Sequence, residues 1–192
     1  MKQIILFGII LLFVSARESN DPSFSIFIVQ GKQRTEVRYD EPKEINLKKK
    51  AFVIKMQWRH LEGIYTSASF GGLYFDTPKD TRFLDWEEID TKVMSELNYN
   101  PNKRLSVHSE SLHYWAYDSL NNTPHRIDKK VILTNAETIT TFTVSNFFNI
   151  ETQETIKAKK FAKPLYLVFF STEGYGASKR ELQRKKVILT FK

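Results

Sequence analysis

The sequence predicts an all-β fold: an antiparallel β-sandwich, immunoglobulin-like or jelly-roll in topology, with one amphipathic helix inserted near 86–97. Three observations predict it. Residues 51–59 alternate with period two, with Phe52, Ile54, Met56 and Trp58 on one face and Lys55, Gln57 and Arg59 on the other, as a half-buried strand does. Short strand-like runs recur at near-regular spacing with turn residues between them, where βαβ units would alternate strands with helical patterns. The run Leu165-Tyr166-Leu167-Val168-Phe169-Phe170 is apolar on both faces, as a central strand covered on both sides must be.

The elements follow in chain order. Phe24-Ser25-Ile26-Phe27-Ile28-Val29 is rich in β-formers and stops at Gly31, across which Thr35 to Tyr39 reads as a hairpin partner. After the strand at 51–59, Ile64 to Ser69 and Gly72 to Phe75 continue the pattern, with Gly71-Gly72 as a turn or bulge. The helix is marked by Asp85 as cap and Glu88 three residues on. Trp86, Ile89, Val93, Met94 and Leu97 then form one apolar stripe at helical spacing. Glu87, Glu88 and Asp90 complement its dipole, and Asn98 and Pro101 end it. Leu112 to Asp118, Val131 to Thr134, Thr138 to Ser145, Leu165 to Ser171 and Val187 to Phe191 are further strands. A weaker helical turn is signalled at Ser178, with Glu181 as its box partner.

Residues 1–16 read as a secretory signal peptide. Lys2 precedes an apolar run from Ile4 to Val14, and Val14-Ser15-Ala16 carries the cleavage pattern. The run is about half of the roughly 20 residues a bilayer-spanning helix needs, and no later stretch is long and apolar enough to span. The expected organisation is therefore 1–16 signal peptide, 17–23 linker and 24–192 one domain, with the product periplasmic or secreted. The chain has no cysteine, which removes lipid attachment at a lipobox, thiol catalysis and cysteine-based metal sites.

The full chain carries a net charge of +7. The charge concentrates in 157–192, where Glu173 and Glu181 are the only acids, and is densest at Lys179, Arg180, Arg184, Lys185 and Lys186. A turn from Ser178 to Lys186 would gather that patch into one loop, facing an acidic polysaccharide, lipid or protein, or pairing with the acidic 76–96 segment. Nucleic acid is a poor partner for an exported chain.

Signatures of catalysis are missing. There is no G-x-S-x-G, no P-loop, no G-x-G-x-x-G and no H-E-x-x-H, so no cofactor and no metal is expected. Ser109, His113 and Asp118 have the residue types of a triad but no motif to join them. The acids of 76–88 could pair for glycoside hydrolysis, yet they fit better as the solvated face of the helix. More distinctive is His113-Tyr114-Trp115-Ala116-Tyr117. On a strand His113, Trp115 and Tyr117 share one face, while Tyr114 falls with Leu112 and Ala116 on the other. Turned outward, the first set would form an aromatic strip able to stack on sugar rings; turned inward, it is core. The neighbouring 98–111 loop adds Lys103, Arg104 and His108.

The function expected from this is a non-catalytic binding module of the cell envelope or exterior, with a glycan or an extracytoplasmic protein as candidate ligand. Two alternatives belong to other classes. One is an envelope inhibitor or immunity protein acting through its charged surfaces. The other is a glycan-acting hydrolase using Glu87, Glu88 or His113.

Overall fold

The computed structural model describes residues 22–38, 42–61, 63–72, 75, 104–109, 114–118, 132–134, 137–173 and 180–192, with the backbone alone at 63, 104, 114–118, 132–134, 172–173 and 180–181. Residues 1–16, most of the expected linker and the helix expected at 86–97 lie outside this set. Among the described residues the structure is all-β, and no helix is long and apolar enough to cross a membrane.

The first sheet has five antiparallel strands. β1 (Ser23–Gln30) and β2 (Gln33–Val37) form a hairpin across Gly31-Lys32. Gly31 adopts a φ of 60° at the first loop position, where a primed turn needs a residue without Cβ strain. β1 starts at Ser23, so the strand takes the last residue of the expected linker. β4 (Phe52–Arg59) pairs with β1, and β9 (Glu137–Val144) pairs with β4. β8 (Ile132–Thr134) closes the order β2-β1-β4-β9-β8. The register aligns the alternation of three strands into rungs such as Ile28–Ile54–Phe142 and Phe24–Trp58–Thr138. One face is thereby buried and the other half-exposed.

The second sheet has the order β3-β13-β12-β5-β7, from β3 (Lys43–Leu47), β5 (Gly63–Ser69), β7 (Tyr114–Asp118), β12 (Leu165–Glu173) and β13 (Arg180–Phe191). β12 is central and buried on both faces, as its sequence predicts. Leu165, Leu167 and Phe169 enter the main core, shared with Ile26, Ile54, Met56 and Trp58 of the first sheet. Val168 and Phe170 form a second cluster with Phe75, against which Tyr65, Tyr166 and Ile188 pack. Phe75 reaches this cluster from a turn closed by its N–H to Gly72 O at 2.9 Å. The expected strand at 72–75 is thus a turn at Phe75, and the ring of Tyr166 occupies the space a Cβ on Gly72 would need, at 3.2 Å.

A small third sheet, β11-β10-β6, joins β6 (Arg104–Val107), β10 (Asn146–Asn149) and β11 (Thr155–Lys157). Its strands were not legible as such: each is three or four residues long. Two pairings are parallel, β3 with β13 and β6 with β10, so the sheets are mixed where antiparallel pairing is expected throughout. The weak helical turn expected at Ser178 is also corrected, since strand begins at Arg180 and runs to Phe191. Continuous pairing with β12 outweighs the local helical signal there.

Gln30 fastens the segment between β3 and β4. Its buried Nε2 faces the carbonyls of Lys48, Lys50 and Ala51 at 3.0, 3.1 and 3.3 Å, and its Oε1 accepts from Lys48 N at 2.8 Å. The amide thus substitutes for a strand the turn lacks. Gln30→Ala is expected to lower stability by about 1–3 kcal/mol, because it strands several backbone groups at once. Urea denaturation reads this directly, and a loss within error would show that water replaces the amide.

Candidate functional site

Two of the sequence-predicted surfaces meet on one row of the second sheet. β5 pairs Thr66 with Trp115 and Ile64 with Tyr117 of β7. Thr66 also pairs with Phe169, and Phe169 with Lys185. The row therefore runs Trp115–Thr66–Phe169–Lys185, and directly opposed residues share a face. Phe169 belongs to the main core, and Ile64, Thr66 and Lys185 are all buried. The register thus sets Trp115 and Tyr117 in the rows of inward-facing residues, and Tyr114 and Ala116 in the rows of Ser67 and Tyr65. His113 lies outside the described residues.

Lys185 is the unusual member of the row. It is 2% exposed, with its Nζ 5.3 Å from the centre of the Phe24 ring. Burial among apolar side chains holds its amine below the ordinary lysine range, and the charge of Glu36 only partly restores it. Phe24 pairs with Trp58 in β1–β4, so this end of the core joins the indole of Trp58 to the row. Trp58 Nε1, Thr66 Oγ1 and Ser171 Oγ are buried and find no hydrogen-bond partner among the described residues. One step along β12 the register shifts past Ser171, with Leu182 as the extra residue. Such a bulge twists the strand at that end.

The rest of the basic run is divided by strand alternation. Arg184 pairs with Phe170 on the opposite face of the sheet and is 8% exposed. Lys186 follows it on that face, donating from Nζ to Phe75 O at 2.9 Å, with the Phe75 ring 5.1 Å away. Arg180 starts the strand, and Lys179 lies outside the described residues. The loop expected to gather Lys179 to Lys186 is therefore a strand from Arg180 on, which sends Arg184 and Lys185 to different clusters.

A separate polar cluster surrounds His108, which ends β6 in a parallel bridge to Ser69. Its Nδ1 lies 2.9 Å from Glu151 Oε1. An ionised carboxylate only accepts, so Nδ1 carries the proton in this contact. Glu151 Oε2 accepts from Ser109 N at 3.0 Å and from Ser109 Oγ at 3.3 Å. Asn149 Nδ2 donates to Ser109 Oγ at 2.9 Å, while Asn149 Oδ1 accepts from the amides of Glu151 and Thr152, each at 3.0 Å. Burial opposes the charge on Glu151, but donors from its own amide, the His108 ring and the Ser109 amide hold its carboxyl below the ordinary range.

Ser, His and Glu are close here, but in the wrong order for nucleophilic catalysis. That chemistry needs the serine on the imidazole and the carboxylate behind it. Here the carboxylate takes both the serine and the imidazole, and so clasps the end of β6 to the 149–152 turn. Gln153 follows with a φ of 57°, a left-handed conformation uncommon for glutamine.

The sequence pointed to His108 in this cluster but missed Glu151 and Asn149, which stand too far along the chain for any spacing rule to link them. Of the other sequence-predicted residues, Arg104 opens β6 and pairs with Asn146, and Lys103 lies outside the described set. Of the remaining histidines, His60 is exposed in the bend after β4 with a φ of 51°, and His125 lies outside the described residues. Among the described residues no three His, Cys, Asp or Glu side chains group to hold a metal.

Two outcomes follow from the charges. Between the lowered folded value and the ordinary 10.5 of Lys185, the unfolded chain binds a proton that the folded chain does not, so stability rises with pH through that window. Below it the cost of burying an ammonium is fully present. Lys185→Met is therefore expected to raise stability by about 1 kcal/mol at pH 7, with a smaller gain near pH 10. Thermal melts at the two pH values measure it, and a gain that grows with pH would contradict the burial argument. Glu151 works in the opposite sense: its stabilisation is present above the ordinary 4.5 and lost as pH falls through the lowered folded value. With the Glu151 side chain 44% exposed, Glu151→Gln should cost no more than about 1 kcal/mol at pH 7. Its clearer signature is faster hydrogen exchange at the Ser109 amide.

The chain matches no protein-family model, no curated protein and no solved structure.

Proposed function

We propose that the protein is an exported, non-catalytic binding module of the cell envelope or exterior, periplasmic or secreted, whose ligand is an acidic glycan. Its body is a β-sandwich, immunoglobulin-like or jelly-roll in type, with the amphipathic helix at 86–97 inserted between β5 and β6. Residues 1–16 support the export. The common cluster fed by the two five-stranded sheets supports the sandwich.

The row Trp115–Thr66–Phe169–Lys185 carries the reading. Sugar recognition calls for an aromatic surface for the apolar face of a ring and donors and acceptors for its hydroxyls. An acidic sugar adds the need for a cation. β7 is the edge strand of its sheet among the described residues, so the register positions of Trp115 and Tyr117 stand at the open end of rows that also hold the polar atoms of Thr66, Ser171 and Trp58 and the amine of Lys185. Burying that amine costs stability, and a binding role would account for its being kept. Lys103, Arg104, His108 and His113 extend the same proposal towards the 98–111 loop.

Binding to a panel of neutral and acidic oligosaccharides, read by calorimetry, tests it. Trp115→Ala and Tyr117→Ala should each weaken binding by roughly tenfold or more. Lys185→Met should weaken binding to the acidic members while leaving the protein at least as stable. Unchanged binding in all three folded variants, or no binding by the wild type, rejects the glycan reading.

A further inference from the structure

Among the described residues β2 is the outer edge strand of the first sheet, and Gln33, Arg34, Glu36 and Arg38 are exposed. Gln30 and Gln33 flank the two-residue turn and exchange the closing hydrogen bonds of the hairpin. Antiparallel alternation then directs the N–H and C=O of Gln33, Thr35 and Val37 towards β1, and those of Arg34 and Glu36 away from it. A second strand would therefore bond to Arg34 and Glu36.

These two residues carry opposite charges and are two apart. Glu36 pairs directly with Phe27, and the Arg34 guanidinium lies over the same ring at 4.0 Å, so both charges sit on the outer face of the sheet. In an antiparallel pairing of two copies about Thr35, Arg34 of each copy opposes Glu36 of the other. Each such pair exchanges two backbone hydrogen bonds and is a cross-strand ion pair. Moving the register by two residues sets Arg34 against Arg34 or Glu36 against Glu36. Moving it by one opposes inward to outward groups and puts side chains on the wrong face. Within β2 itself the alternating charges that would repel a generic strand favour the two-fold register about Thr35 over its neighbours one or two residues away. Lys32 and Arg38 fall opposite each other at its ends and limit the pairing to the strand itself.

We propose that β2 is a homotypic association edge through which two copies of this chain join their first sheets, centred on Thr35. Sedimentation of the full chain over a concentration series should show a reversible monomer–dimer equilibrium. Arg34→Glu or Glu36→Arg alone replaces two attractive pairs by two repulsive ones, and should weaken the dimer by at least about tenfold. The double variant carrying both changes restores the pairs with signs exchanged, and should recover the dimer. The chain has no cysteine, so Thr35→Cys introduces a single one, opposite its own copy at a non-hydrogen-bonded position. There the Cα separation of about 4.5 Å permits a disulfide. Rapid oxidation of that variant to a covalent dimer supports the register. A wild type that stays monomeric at every concentration, or a double variant no better than either single one, overturns the proposal.

Discussion

Among the described residues the first sheet is joined to the other two by packed rings, and no β-ladder crosses between them. Phe147 of β10 stacks on Phe161 with ring centres 3.8 Å apart and meets Phe52 of β4, Phe70 and Phe191 of β13 edge-on at 6.3, 5.6 and 5.7 Å. One aromatic side chain from the small sheet therefore touches rings from both large ones. Its burial and quadrupole contacts stabilise an arrangement that no β-ladder fixes. The registers of β4, β10 and β13 must all bring a phenylalanine to this point, so a slip in any one would empty it.

The double burial of β12 adds a second constraint. Leu165, Leu167 and Phe169 commit one face to the main core, and Val168 and Phe170 commit the other to the cluster around Phe75. The β13 residues that oppose Leu165, Leu167, Phe169 and Phe170 are all buried, whatever their chemistry. That is how Lys185 and Arg184 come to be inside: Phe169 and Phe170 oppose them. Through β5 the same row reaches β7, where Thr66 pairs with Trp115.

What was legible in the sequence was what a strand shows by itself. The alternation of β1 and β4, and the two apolar faces of β12, are local properties, and they gave the fold class and the position of the central strand. β3 was missed because Lys43-Glu44-Ile45-Asn46-Leu47 offers only two apolar residues and takes its stability from a parallel partner at the far end of the chain. The first half of β13 read as a charged turn because nothing near Lys185 shows that Phe24 will lie beside it. His108 was visible as a loop histidine, yet Glu151 and Asn149, which decide its chemistry, became visible only when the chain was folded. The expected helix at 86–97 falls outside the described residues.

The place of β13 has a consequence for when the molecule becomes whole. The most C-terminal of the described strands is an interior one, standing between β3 and β12. While the chain is being synthesised, β3 has no neighbour and β12 lacks one side, so the second sheet stays open until residues 180–192 arrive. Contacts of such long sequence separation close slowly. Until residues 180–192 are made the main core lacks Val187, Leu189 and Phe191, so the emerging chain stays open and, under the proposed export, would still be threadable.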